Sequence, residues 1–436
     1  MNKKRKIAFC TLGCKLNFSE TSMLARKFLE NDFERVPPNQ IADVYVVNTC
    51  SVTENADKKC RQLLRKLAKQ APQAIIVATG CYAQLKPQEL AEIEGVDIVA
   101  GADMKGNIFE YVNSISEKKK AKIFSCEINE TSSFFKAFSL GDRTRSFLKV
   151  QDGCDYNCAY CTIPMARGKS RNISIEEVCN EAKIIADSGV KEIIITGVNT
   201  GDFGRTTGEL FIDLLKNLEK IEGIERYRIS SIEPNLLTAE IIEFVQNSTK
   251  FLPHFHIPLQ SGCDKILALM RRRYNTKLFA QRINNIYQLM PNAFIGIDVI
   301  VGFPNETDDD FVTTYNFLQE INPAFIHIFP YSDRANTATS TMQGKIANHI
   351  KTERVNKLKD LCETLHRNFY KNNIGKKANV LFEGARHGEM MSGFSENYIK
   401  IEIPYQKDLV GKIVEIEITA IVENGNATGI IKNCKL

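Results

Sequence analysis

The sequence predicts an α/β protein of three units in series: a parallel α/β sheet, a partial (β/α)6 barrel, and a small all-β barrel. Three observations predict it. Between residues 5 and 125, short β-branched runs alternate with helical patterns, as the strands and covering helices of a parallel sheet do. From 143 to 370 that alternation recurs as six repeats, with polar motifs at the strand ends. From 373 to 436 the helical period disappears, and four or five short strands are separated by turns at Gly384, Gly388 and Asn424-Gly425-Asn426.

In the first unit the strands read as Lys6–Thr11, Val44–Val47 and Ala74–Ala78, with helices from Ser19, about Asp57 and Pro87. A cysteine occupies the turn after each strand: Thr11-Leu12-Gly13-Cys14, Asn48-Thr49-Cys50 and Thr79-Gly80-Cys81. Open α/β sheets bind ligands at the carboxyl ends of their strands. Cys14, Cys50 and Cys81 are therefore expected to converge on one edge, the plainer alternative being three unrelated thiols. Cys10 lies inside a strand and Cys60 mid-helix, so both read as packing residues. Residues 126–142 are rich in Ser, Thr, Phe and charge without period, which fits a linker and makes Cys126 a bystander.

The second unit opens with the strand Phe147-Leu148-Lys149-Val150, which delivers Cys154-Asp155-Tyr156-Asn157-Cys158-Ala159-Tyr160-Cys161. This C-x3-C-x2-C spacing is the most specific signal in the chain. Three thiolates hold three irons of a cubane cluster and leave the fourth open to chelate a small molecule. A structural zinc site takes four protein ligands, usually from CxxC pairs, and no fourth Cys or His stands nearby. Further runs at Glu192–Thr196, Tyr227–Ser231, His254–Pro258, Ile295–Val301 and Phe325–Phe329 complete six strands of a TIM-like barrel. Chemistry in such barrels sits on the loops after the strands. Gly197 there would allow close backbone approach, and Asn199 and Glu233 offer hydrogen bonds to a bound cofactor. His256 reads as a hydrogen-bonded structural histidine.

The chain has 436 residues, a hydrophobic fraction of 43% and a net charge of +5. No apolar run of about 18 residues and no signal-peptide pattern is visible, so no membrane partner is expected and the cytoplasm is the expected compartment. Thiols stay reduced there, and the 13 cysteines read as ligands plus bystanders rather than disulfides. Basic residues cluster at Lys58, Lys59, Arg61, Arg65, Lys66 and Lys69, at Arg271-Arg272-Arg273, and between Lys345 and Lys377. One such cluster is commonly a solvated helix face; several together favour a phosphate backbone.

With both cysteine sets placed, the chain resembles the methylthiotransferase family of radical S-adenosylmethionine (SAM) enzymes along essentially its whole length. The motifs that carry the resemblance are Thr11-Leu12-Gly13-Cys14-Lys15-Leu16-Asn17, Val47-Asn48-Thr49-Cys50-Ser51-Val52, Gly80-Cys81-Tyr82, and Gln151-Asp152-Gly153-Cys154 through Ala166-Arg167-Gly168. The resemblance implies an N-terminal domain (5–125) whose auxiliary [4Fe-4S] cluster is held by Cys14, Cys50 and Cys81. It implies a radical SAM barrel (143–370) whose [4Fe-4S] cluster, held by Cys154, Cys158 and Cys161, binds SAM, and a C-terminal TRAM domain (373–436). It further implies tRNA, at the anticodon stem-loop, as partner, an electron donor such as a flavodoxin or ferredoxin, and SAM as both methyl donor and radical source. The Thr11–Lys15 opening and the Lys149–Asp155 approach are similar to the branch that adds a methylthio group to carbon 2 of N6-threonylcarbamoyladenosine. That carbon bears an unactivated C–H bond which no side-chain base ionises usefully, so cofactor chemistry is required. The alternatives are methylthiolation of isopentenyladenosine in tRNA or of a ribosomal-protein aspartate, and a non-enzymatic iron–sulfur RNA-binding protein.

Overall fold

The computed structural model describes residues 4–118 and 120–434. The N-terminal strands are β1 (Arg5–Thr11), β2 (Phe33–Arg35), β3 (Val44–Thr49), β4 (Ile75–Gly80), β5 (Ile98–Ala100) and β6 (Lys122–Phe124). They form one parallel six-stranded sheet in the order β2-β1-β3-β4-β5-β6. Every residue of β3 and β4 is buried, as expected of central strands covered on both faces. Two apolar clusters lie on the two faces: Tyr45, Val47 and Ile76 on one, Val44, Val46 and Val77 on the other. Helix α1 (Lys15–Leu29) follows β1 and helix α2 (Glu54–Gln70) follows β3. The Thr53 hydroxyl accepts from the amide of Ala56 at the start of α2, with Glu54 and Asp57 in its first turn. Cys10 and Cys60 belong to the apolar packing of this sheet, as expected.

The second group of strands comprises β7 (Ser146–Lys149), β8 (Glu192–Thr196), β9 (Arg226–Ile229), β10 (His254–Gln260), β11 (Phe294–Val301) and β12 (Phe325–Pro330). They pair in parallel as β7-β8-β9 and β10-β11-β12, and a parallel bridge between Ser231 and His256 links the two halves. This is the expected partial barrel, with one continuous apolar core between its strands and outer helices. Residues 126–142 run largely without regular structure, although Ala137, Phe138 and Ser139 are buried against the barrel.

The last five strands are β13 (Lys377–His387), β14 (Met390–Phe394), β15 (Lys400–Pro404), β16 (Ile413–Ile421) and β17 (Ala427–Cys434). They close into a barrel of order β13-β14-β15-β17-β16 around Val380, Phe382, Ile401 and Val414. The Arg228 guanidinium, on β9, donates to the carbonyl oxygens of Ser395 at 2.6 Å and Glu396 at 2.8 Å, tying this barrel to the larger one. No helix among the described residues is long and apolar enough to cross a membrane.

Candidate functional site

β1, β3 and β4 are adjacent, so the turns that follow them share one edge. Burial raises the Cys14 and Cys50 thiols, Cys50 to about 12, and electrostatic coupling to Cys81 raises both further. The three thiols are thus brought together, as sheet topology predicted. Cys14 is exposed at this edge, whereas Cys50 and Cys81 are buried. Gly13, at φ +101°, is required by this closeness: a Cβ there would stand 2.7 Å from the Cys50 Cβ and 2.9 Å from its Sγ. Asn17, Asn48 and Thr49 lace the three turns. The Asn17 amide donates to Leu12 O at 2.8 Å and Thr49 O at 3.0 Å, and the Asn48 amide donates to Asn17 O at 3.0 Å. The Thr49 hydroxyl accepts from the amides of Tyr82 and Ala83 just after Cys81.

The second three-cysteine site is a single loop after β7. Asp152 and Arg171 exchange backbone hydrogen bonds, and the Cys154 amide donates to Gly168 O at 3.0 Å, so the loop is clamped at its base. Gly153, at φ +73°, passes so close that a Cβ would stand 2.0 Å from Lys169 O. The amides of Tyr156 and Ile163 donate to Cys154 Sγ and Cys161 Sγ at 3.4 and 3.5 Å, and Arg272 Nη1 donates to Cys158 Sγ at 3.0 Å. Burial nevertheless pushes Cys154 and Cys161 up to about 12. Thiols this hard to ionise become thiolates when a bound metal displaces their protons into solvent, and the donors aimed at their sulfurs suit the negative charge that results. Both thiol sets fit an iron–sulfur cluster by this criterion: three gathered sulfurs each, with a buried cation close by, Arg272 at one and Arg167 at the other.

A buried charge cluster joins the two sites. Glu20, on α1, pairs with Lys149 at 3.0 Å, with Arg167 at 3.1 Å and with Lys105. Asp152, two residues before Cys154, pairs with Lys149 at 2.6 Å and with Arg167 at 2.8 Å. Arg167 also donates to Asn17 Oδ1 at 2.6 Å. Against the upward pull of burial, Arg167, Lys105 and Lys149 hold the Glu20 carboxyl far below the usual carboxylate range. A second clamp comes from Arg334 after β12, which donates to Ser51 Oγ at 2.6 Å and pairs with Asp57 at 2.9 Å, beside Cys50. Sequence reasoning missed Glu20, Lys149, Asp152 and Arg334. Their only signal was charge inside otherwise apolar or motif segments.

The residues expected to contact a cofactor divide. Asn199 is buried, and both polar atoms of its side chain lack a partner, the state of a group that awaits a ligand. Its backbone N–H donates to Gln151 Oε1 at 3.0 Å, placing it beside the cysteine loop. Gly197 approaches the protein's own Gln151, where a Cβ would stand 3.0 Å from Oε1. Glu233 accepts from Arg272, and burial raises its carboxyl while Arg272 opposes the rise. His256 is hydrogen-bonded as expected, with Nε2 at 2.8 Å from Asp298 Oδ1.

The basic clusters need correction. Arg272 is consumed by Cys158 and Glu233, and Arg273 donates to Asp155 O and lies over the Tyr156 ring at 4.0 Å. Arg354, in the Asn348–Lys371 helix, is buried and pairs with Glu306 at 2.5 Å and Asp308 at 2.8 Å. These arginines hold the fold. Exposed cations remain at Lys58, Lys59, Arg65, Lys66 and Lys69 on α2, and at Lys359, Arg367 and Lys371 on the later helix.

Two cavities flank these sites. One of about 240 Å³ is lined by Thr53, Cys161, Gln260, Asp298 and Tyr331, and so reaches from the Cys50 turn to the cysteine loop. The other, of about 440 Å³, lies among the N-terminal halves of β10–β12, the start of α1 at Lys15, and Phe394 and Tyr398 of the C-terminal barrel.

Residues 6–101 match the family described as Uncharacterized protein family UPF0004, and residues 148–318 match the Radical SAM superfamily. The threonylcarbamoyladenosine tRNA methylthiotransferase MtaB of Bacillus subtilis is 39% identical over 94% of this chain and 93% of its own length. The protein of the same name from Aquifex aeolicus is 40% identical over 94% of this chain and 99% of its own. This chain belongs to the radical SAM methylthiotransferase family. As a radical SAM methylthiotransferase it is an enzyme that uses SAM and [4Fe-4S] clusters. The tRNA-2-methylthio-N(6)-dimethylallyladenosine synthase of Syntrophus aciditrophicus, another relative of this methylthiotransferase, is 32% identical over 94% of the chain. Among solved structures, the radical SAM methyltransferase TsrM of Kitasatospora setae aligns with a TM-score of 0.55 at 11% identity, covering 74% of this chain and 73% of that one. That likeness bears on the fold.

Proposed function

We propose that this methylthiotransferase acts on tRNA and adds a methylthio group to carbon 2 of N6-threonylcarbamoyladenosine beside the anticodon. The observation that carries the reading is the pair of three-cysteine sites bound to each other through Glu20, Arg167 and Asp152, supported by full-length relatives named for that substrate. We assign the SAM-binding cluster to Cys154, Cys158 and Cys161, and the auxiliary cluster to Cys14, Cys50 and Cys81. Bound there, SAM and the clusters supply carbon-radical chemistry, a methyl group and a site for sulfur. The chain's own part is positional. Gly13 and Gly153 let the loops close, Arg272 sets charge at Cys158, and the orphaned Asn199 amide offers hydrogen bonds to bound SAM. The salt-bridged carboxylates keep the two sites in fixed register, as chemistry between separately bound groups demands. Reduction falls to an external carrier of the flavodoxin or ferredoxin kind, in the cytoplasm.

The exposed cations of the Asn348–Lys371 helix and the 373–436 barrel, read as a TRAM domain, form the surface assigned to the tRNA backbone. Each neutralised phosphate releases condensed counterions, so binding weakens as salt rises. Truncation after Asn373, and neutralisation of Lys359, Arg367 and Lys371, should each weaken tRNA binding; unchanged affinity in both removes this surface.

Nucleoside analysis of tRNA from a deletion strain tests the function. Loss of 2-methylthio-N6-threonylcarbamoyladenosine with return on complementation is the expected result. Loss of the 2-methylthio-isopentenyl nucleoside instead would move the substrate to the other tRNA branch, and intact tRNA with an unmodified ribosomal-protein aspartate would move it to protein.

A further inference from the structure

The larger cavity holds a cation that the rest of the protein leaves unpaired. Lys15 follows Cys14 directly and lines this cavity. Every other strong charge around it has an internal partner. Arg145 pairs with Glu383 at 2.9 Å, Arg228 with Glu192 at 2.8 Å, Lys400 with Glu402 at 3.6 Å, and His256 with Asp298 at 2.8 Å. No aspartate or glutamate lines the cavity, and among the described residues none pairs with Lys15. A half-buried cation with no carboxylate beside it, facing only the Tyr398 ring and the neighbouring Cys14, is costly, and proteins keep one where a ligand provides the charge.

The walls specify the rest of that ligand. Tyr398 stacks on Phe394 with centroids 4.7 Å apart, and the ring of His254 lies 4.4 Å from that of Tyr398 and 5.5 Å from that of Phe294. Tyr398 holds a left-handed backbone at φ +62°, a conformation unusual for a tyrosine and typical of residues placed for function. Aromatic rings at such spacing form platforms on which a nucleobase stacks. The cavity of about 440 Å³ accommodates a base bearing a side chain. It abuts Asp298, which lines the smaller cavity beside Cys161 on its other side.

We propose that this cavity receives the target base and that the Lys15 ammonium binds the carboxylate of its threonylcarbamoyl group, making Lys15 the residue that selects an acidic N6 substituent over an apolar one. The inference rests on the threonylcarbamoyladenosine reading above. The threonylcarbamoyl group ends in a carboxylate and a dimethylallyl group carries no charge, so one ammonium on an otherwise aromatic wall separates the two.

The test measures the affinity of the cluster-loaded protein for an anticodon stem-loop bearing N6-threonylcarbamoyladenosine, for the same RNA as its methyl ester, and for the isopentenyladenosine form. The natural chain should prefer the acid over the ester by about 30-fold, the size of a hydrogen bond between charged groups. Lys15→Gln should bring that ratio close to one, and Lys15→Arg should restore most of it, while iron content checks that the neighbouring cluster site is intact. A loosened fold would weaken acid and ester alike and leave their ratio unchanged. A Lys15→Gln protein that keeps the acid preference overturns the assignment while the substrate reading stands. A natural chain that binds and methylthiolates only the isopentenyl RNA overturns the substrate reading, and the assignment with it.

Discussion

Cys154, Cys158 and Cys161 lie within eight consecutive residues of one loop, whereas Cys14, Cys50 and Cys81 come from three strands and meet only when β1, β3 and β4 pair side by side. The first site is written locally and needs the barrel mainly to hold its base. The second is written in topology, and its spacing along the chain carries no motif of its own. Both place a positive-φ glycine immediately before a cysteine, Gly13 before Cys14 and Gly153 before Cys154, because each thiol must turn sharply off a strand into a crowded space. The difference teaches where each is vulnerable. The local site depends on its own loop, the assembled one on long-range pairs.

The largest effects should come from the cysteines. Cys158→Ala should abolish SAM cleavage and reduce bound iron from about eight to about four per chain, while Cys81→Ala should retain SAM cleavage without methylthio product. Iron content and 5′-deoxyadenosine formation measure both. Cys10→Ala and Cys60→Ala, outside either site, should keep both clusters; if Cys10→Ala folds normally but loses the auxiliary iron, the assignment between neighbouring thiols fails.

Next in size is the tie between the sites. Arg167→Met leaves Glu20 and Asp152 facing each other with fewer cations, which should cost about 3–5 kcal/mol in chemical unfolding. Arg167→Lys should recover only part, since one ammonium cannot reach Asn17, Glu20 and Asp152 together as the guanidinium does. A loss no larger than a surface substitution gives would show that the two sites are held together elsewhere.

A buried carboxylate without such a tie sharpens the contrast. Glu181 is buried with one oxygen unpartnered, and burial raises its carboxyl to about 7. Its unfolded form ionises near 4.5, so the folded chain loses stability as pH rises from there to about 7. Glu181→Gln should therefore gain about 3 kcal/mol above pH 7 and nothing below about pH 4, read from unfolding midpoints at several pH values. An identical gain at all pH values would exclude the titration.

The smallest effect concerns tuning. Arg272→Gln removes a cation from Cys158 Sγ and should make reduction of that cluster harder by tens of millivolts, followed by redox titration of its spectrum.

These contrasts also explain how far the sequence could be read. The six barrel strands and both cysteine sets were legible because β-branched runs and strand-end motifs are local signals. The three-residue strands β2, β5 and β6 were not expected, since three residues carry no period. β14 was hidden by its composition, Met390-Met391-Ser392-Gly393-Phe394. Arg272 and Arg354 read as members of phosphate-binding clusters because their carboxylate partners lie 39, and 46 to 48 positions away, and nothing in a one-dimensional pattern announces such a pair.

The buried pairing of Glu20 also orders the chain in time. During synthesis the strands that carry Cys14, Cys50 and Cys81 emerge before Lys149 and Arg167 exist, and N-terminal units fold first. At that stage Lys105 is the only one of the three cationic partners of Glu20 already made. The early sheet thus offers its three thiols while α1 still carries an incompletely neutralised acid on its inner face. Arrival of β7 and the loop behind it supplies the missing cations, so completion of the second cysteine loop is also the event that locks the first unit shut.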